Sequence, residues 1–127
     1  MDALGTHLVL ELKDCRRDLL TDLDFLRSTL LSAAREAGAT IMGDSFHYFD
    51  PYDGVSGVVI IAESHLSIHT WPEYGYAAVD IFTCGNSVHS GRAVDLLVSA
   101  LEARNTSILE LKRGILNLAG ELCNERK

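Results

Sequence analysis

The sequence predicts an α+β sandwich, a largely antiparallel sheet with two helices on one face. Two observations lead there. A strand and a helix come first, four strand-like stretches follow without a helix between them, and a helix and a strand come last. Both helical stretches carry a single apolar stripe, so each needs only one face of a sheet to bury it.

Taken in order, residues 7–13 read as a strand, with Leu8, Leu10 and Leu12 on one face and Val9 breaking strict alternation on the other. Thr21 or Asp22 caps the first helix and Asp24 favours its positive end. Leu23, Leu26, Leu30, Ala33, Ala34 and Ala37 form its buried stripe before Gly38 closes it. Strands follow at residues 40–49, 56–62, 66–71 and 76–84. Asp50-Pro51-Tyr52-Asp53-Gly54 and Pro72-Glu73-Tyr74-Gly75 are turns, because Pro fixes one backbone torsion and Gly permits positive ones. A second helix over 90–104 turns Ala93, Leu96, Leu97, Ala100 and Leu101 inward, and residues 106–112 make the last strand. The tail beyond Gly114 is weakly specified.

Val58-Val59-Ile60-Ile61 is apolar on both sides, which predicts a central strand covered on both faces. Two helices cover only one of them. A second copy of the chain is the simplest cover for the other, so the sequence predicts a homodimer joined through the sheet side.

The 127 residues suit a single domain. With 47% apolar and 23% charged residues the composition is globular, and a net charge of -7 argues against a phosphate-backbone partner such as nucleic acid. No apolar run reaches the length that spans a bilayer, and no secretory leader pattern is present, so a soluble, cytoplasmic protein is expected. Cys15, Cys84 and Cys123 lack paired short spacing and read as cytosolic thiols, not a disulfide framework.

Polar chemistry is concentrated between Ala62 and Gly85, where a hydroxyl, two imidazoles, carboxylates and a thiol share a segment that should build core. Strand parity sorts them. Leu66 and Ile68 point one way while Ser67, His69 and Trp71 point the other; Val79 and Ile81 oppose Asp80, Phe82 and Cys84. The apolar set belongs under the helices, which leaves His69, Asp80 and Cys84 to meet in a pocket on the opposite face. Ser64 stands an odd offset from His69, so it must occupy a turn or a distorted strand start, a setting that commonly stores strain.

Glu63-Ser64-His65-Leu66-Ser67-Ile68-His69-Thr70-Trp71-Pro72-Glu73-Tyr74-Gly75, with Gly54-Val55-Ser56-Gly57 before it and Phe82-Thr83-Cys84-Gly85 after it, resembles the short prokaryotic form of S-adenosylmethionine decarboxylase. The likeness runs from Gly5-Thr6-His7 through Gly38-Ala39-Thr40 and Phe46-His47 to Cys84, about two thirds of the chain, and fades beyond to a helix pattern and Arg113-Gly114. It implies a self-processing pyruvoyl enzyme of polyamine synthesis that makes the aminopropyl donor for spermidine. The bond Glu63-Ser64 is broken by attack of the serine hydroxyl on the preceding carbonyl, leaving pieces 1–63 and 64–127, and Ser64 becomes a covalent pyruvoyl group. That ketone forms a Schiff base with the substrate amine and takes up electrons as carbon dioxide leaves, the role pyridoxal phosphate plays elsewhere. The three lysines, Lys13, Lys112 and Lys127, all lie outside the motif, as a cofactor needing no lysine allows.

By the same resemblance Ser56 and His69 assist processing and Cys84 reprotonates the decarboxylated carbon. Phe49 and His69 flank the adenine, and Glu73 holds the ribose hydroxyls. An aromatic slot and a carboxylate accepting two hydroxyl bonds suit a nucleoside. The chain departs from the family in an acidic loop, residues 48–54, one residue longer than usual and carrying Asp50 and Asp53, and in Thr6 where Arg is common. A related pyruvoyl decarboxylase acting on ornithine or arginine is therefore the alternative, and an uncleaved, non-catalytic homologue is a third.

Read singly, these residues are ordinary. His47 and His65 are expected to be hydrogen-bonded structural histidines, Trp71 and Phe82 core, Cys15 and Cys123 structural, and Asp50 and Asp53 a solvated turn. Asp80 suits a pocket and a surface equally. His65, His69 and Cys84 match no zinc spacing, so no metal is expected.

Overall fold

The computed structural model describes residues 3–85 and 87–116; Cys123 and Lys127, with the rest of the tail, lie outside the described residues. Six strands, β1 (Gly5–Lys13), β2 (Ile41–Phe49), β3 (Gly54–Ile61), β4 (Ser64–Trp71), β5 (Tyr76–Cys84) and β6 (Asn105–Arg113), form one sheet in the order β2-β3-β4-β5-β1-β6. Every neighbouring pair is antiparallel. Helices α2 (Leu23–Glu36) and α3 (Ser90–Ala100) cover one face, and a short helix, α1 (Arg17–Leu20), precedes them. The expected α+β sandwich is the fold.

The core forms because odd and even positions separate as the pleat requires. Leu8, Leu10 and Leu12 of β1, Val55, Val59 and Ile61 of β3, Leu66 and Ile68 of β4, and Ala77, Val79 and Ile81 of β5 are buried. Leu26, Leu30, Ala33 and Ala34 of α2, with Ala93, Val94 and Leu97 of α3, close over them. Val9 joins the opposite face. Gly57 is required where it stands: a Cβ there would run into the ring of Phe46, its partner in the β2–β3 register.

Asp22, one of the two expected caps, accepts from the Phe25 amide at 3.1 Å and starts α2. The second helix stops at Ala100, four residues before the expected end. Glu102 takes φ 53°, its amide bonds Ser99 O at 3.2 Å and that of Ala103 bonds Val98 O at 3.1 Å, so a Schellman closure ends the helix there. The sequence did not foretell α1, a single turn whose Leu20 is buried. Pro72–Tyr74 is one turn of tight helix, closed by Gly75 at φ 61°.

Val58–Ile61 is not covered on both faces within the protomer. Ile60 is 50% exposed, because both longer helices pack on the side shared by Val59 and Ile61. The other face of the sheet, here the open face, carries His65, Ser67, His69 and Asp80.

Candidate active site

Two polar groupings occupy opposite ends of the open face. At one end Ser56 of β3 and His69 of β4 are register partners, and Ser56 Oγ lies 2.8 Å from His69 Nδ1. Phe49, paired with Gly54 at the mouth of the β2–β3 turn, Trp71 and Glu73 join them around a cleft of about 260 Å³, together with Asp50 and Tyr52. Trp71 is thus a wall of the cleft and not core: odd parity on β4 turns its ring to the open face, where it stacks on Tyr76 at 5.3 Å. The Tyr76 hydroxyl donates to Glu11, and burial followed by that bond pushes the phenol up to about 12. Asp53 is held by the Tyr48 hydroxyl; Asp50 lines the cleft.

At the other end β3 turns into β4 through Ala62 and Glu63, with Ile61 and Ser64 paired across the turn. Glu63 has φ 60° while Ala62 does not share a positive φ, so this is not one of the primed turns whose twist matches a hairpin. A non-glycine residue in that region costs about 1–2 kcal/mol. Strain is therefore stored on the residue whose carbonyl precedes Ser64. The Cys84 thiol donates to that carbonyl, Sγ to Glu63 O being 3.2 Å. The expected distorted strand start at Ser64 is this turn, and Ser64 is half-buried behind it.

Asp80 anchors a third grouping, between these ends. His7 Nε2 stands 2.6 Å and His65 Nε2 3.2 Å from Asp80 Oδ2, while the Ser67 hydroxyl donates to Oδ1. Burial pushes the Asp80 carboxyl up, but the bonds from Ser67, His7 and His65 outweigh it and hold it below the usual carboxylate range. Phe82 packs against both imidazoles at 5.5 and 6.0 Å, and the Arg113 guanidinium lies 5.8 Å from its ring. Of this group the sequence predicted His65 as a hydrogen-bonded structural residue, Asp80 in a pocket with His69 and Cys84, and Phe82 as core; even parity on β5 instead puts Phe82 on the open face against the imidazoles. His7 and Arg113 were missed, since β1–β5 and β1–β6 pairing brings them to this group and neither pairing is visible in local pattern; Ser67 was missed because the β4–β5 register sets it opposite Asp80.

The expected meeting of His69, Asp80 and Cys84 in one pocket does not occur. They share a face, but the register pairs His69 with Ala78 and Ser67 with Asp80, spreading the three along the strands. Ser64 and His69 stand five positions apart on β4, roughly 17 Å at the rise of an extended strand. Cys84 bonds the carbonyl next to Ser64 and His69 bonds Ser56.

His7, His65 and Asp80 offer three ligand atoms within 4.8 Å of one another. Proton placement opposes a metal there. Arg113 Nη1 lies 3.2 Å from His7 Nδ1, and a guanidinium only donates, so Nδ1 accepts and Nε2 carries the proton it gives to Asp80. A metal on Nε2 needs the reverse tautomer, with its outer nitrogen donating to an acceptor.

A family model described as S-adenosylmethionine decarboxylase matches residues 6–114. The likeness thus continues through α3 and β6, beyond the point where the motifs fade. The S-adenosylmethionine decarboxylase proenzyme of Thermodesulfovibrio yellowstonii is 50% identical over 130 residues, covering 98% of this chain and 96% of that one. Its counterpart in Thermotoga maritima is 51% identical over 114 residues, 90% of this chain and 87% of the other. The crystal structure of the adenosylmethionine decarboxylase from Aquifex aeolicus superposes with a TM-score of 0.85 at 33% identity, over 93% of this chain and 97% of that chain.

Proposed function

Because the chain belongs to the S-adenosylmethionine decarboxylase family, we propose that it is a proenzyme which cuts itself at Glu63-Ser64 and then decarboxylates S-adenosylmethionine. The observation that carries the self-processing is the strained Glu63 carbonyl with the Cys84 thiol donating to it. Attack by the Ser64 hydroxyl turns that carbonyl oxygen into an oxyanion; the thiol is a donor already aimed at it. The amide is exchanged for an ester, relieving the left-handed turn; elimination frees the Glu63 carboxylate and leaves a dehydroalanine at residue 64, which takes up water and loses its nitrogen as ammonia to become the ketone.

The residues around position 64 fit a pyruvoyl group: a serine at a strained junction, a thiol in reach and no lysine on β4 or β5. Such a group supplies the ketone that condenses with the substrate amine and accepts the electrons released with carbon dioxide. The chain's own residues do the rest. Cys84 holds a proton beside position 64. Phe49 and His69 stand in the cleft as walls for a flat purine, and Glu73 offers a carboxylate to a ribose diol. Asp50 and Glu73 make the cleft acidic, matching a sulfonium substrate, and its aromatic walls favour a nucleoside over ornithine or arginine.

The separation of roughly 17 Å along β4 keeps the Ser56–His69 cleft of one protomer away from its own Ser64. We infer a homodimer joined open face to open face, in which each cleft meets the partner subunit's position 64. Ile60, Leu109 and Leu111, exposed on that face, supply apolar cover, and a two-fold contact pairs opposite ends of the two sheets. No helix among the described residues is long and apolar enough to cross a membrane; the unpaired cysteines Cys15 and Cys84 suit the reducing cytoplasm.

Intact-mass analysis tests the cut and a substrate panel tests the chemistry. Two pieces, 1–63 and 64–127 with a blocked new terminus, and carbon dioxide released from S-adenosylmethionine are expected. Turnover by a chain that stays whole, or turnover of ornithine or arginine alone, overturns this reading.

A further inference from the structure

We propose that Asp80, held by His7 and Ser67, is a positioning residue: through His65 it fixes residue 64 once the chain has been cut. The inference rests on the self-processing reading and concerns what cutting does to β4.

Before cutting, residue 64 is secured from both sides, by the turn through Ala62 and Glu63 and by the strand that follows. Cutting removes the turn and makes residue 64 the end of a chain. Chain ends fray unless something ties them down. The next residue, His65, is where the tie exists. Its backbone sits between Ile60 of β3 and Phe82 of β5, and its imidazole reaches Asp80 Oδ2 at 3.2 Å.

Asp80 is itself fixed. Ser67 donates to one carboxylate oxygen and His7 binds the other at 2.6 Å. His7 cannot turn away without giving up the Arg113 bond at 3.2 Å and its edge contact with Phe82 at 5.5 Å. Phe82 in turn lies two residues before Cys84, so one grouping clamps the start of β4 and the end of β5 together. That sets the spacing between position 64 and the Cys84 thiol, and reacting groups misplaced by about 1 Å can lose around a hundredfold in rate. The donors converge on Asp80, from Arg113 by way of His7 and directly from His65 and Ser67. None of these bonds needs a proton to move, which makes the cluster a brace and not an acid–base relay.

Asp80→Asn tests it, with amide hydrogen exchange read by mass spectrometry beside the kinetics. Self-cleavage should stay within about threefold of wild type, KM within about threefold, and kcat should fall about tenfold or more. In the cut protein, amides over residues 65–68 should exchange about tenfold faster than in cut wild type. In an uncut Ser64→Ala background the same substitution should leave those amides nearly unchanged, because the intact turn still holds them. His65→Gln, which keeps an N–H for Asp80, should retain most of the turnover that His65→Ala loses. Wild-type kcat and exchange in cut Asp80→Asn overturn the inference, as does faster exchange of equal size in the uncut background. A wild-type chain that never cuts overturns the self-processing reading as well, and is seen before any variant is compared.

Discussion

The two faces of this sheet are built from the same strands and do different work. On the helix side the buried polar side chains among the described residues are three threonines, and Thr70 shows how such a group is kept: its hydroxyl donates to Leu20 O at 2.8 Å and accepts from the Val55 amide at 2.9 Å. On the open side Ser56, His65, Ser67, His69, Asp80 and His7 alternate with those same core residues, and their bonds run mostly to one another. One face carries the buried core and the other the polar side chains of the proposed chemistry. The difference teaches that substitutions one position apart should fail in different ways.

The largest separation of the two comes from Ser64→Ala, which should abolish cutting and turnover entirely while leaving a folded chain that unfolds cooperatively; intact mass and a denaturant titration read both. Ile68→Ala, on the helix side next to His69, should cost about 2–5 kcal/mol of stability by opening a cavity in the fully buried core. Whatever remains folded should still cut itself, and a variant that keeps its stability but loses cutting would break the division of labour. Thr70→Val should cost about 1–3 kcal/mol, since the Val55 amide is left buried without its acceptor.

The smallest effect is a pH dependence on the open side. Asp80 has a folded-state pKa held below its unfolded value, so its bonds add stability above about 4, and that contribution is lost as pH falls through the lower folded value. The gap in unfolding midpoint between uncut Ser64→Ala and its Asp80→Asn derivative should therefore be full near neutral pH and shrink as the pH falls below the ordinary carboxylate range. A gap that widens on acidification would show that the Asp80 bonds do not favour its ionised form.

Much of the fold was legible because periodicity is local. The strand at Tyr76–Cys84 fell within its expected bounds, Asp22 capped α2, and the parity of β4 and β5 sorted buried from open residues correctly. The overrun of the second helix had a local cause that pattern misses, since Leu101 continues the apolar stripe of α3 while Glu102 takes a left-handed conformation that no glycine advertised. Trp71 was misjudged for a related reason: a large aromatic is core by composition, and only its neighbours decide that it lines a cleft.

By itself, then, the sequence determined the class of fold and the family, because each is written in contiguous residues whose spacing sets face, turn and motif. Only the tertiary structure decided which of those residues meet. Strand register is an agreement between segments far apart in the chain, and it sends His69 to Ser56, Cys84 to the Glu63 carbonyl, and His7, with Arg113 behind it, to Asp80.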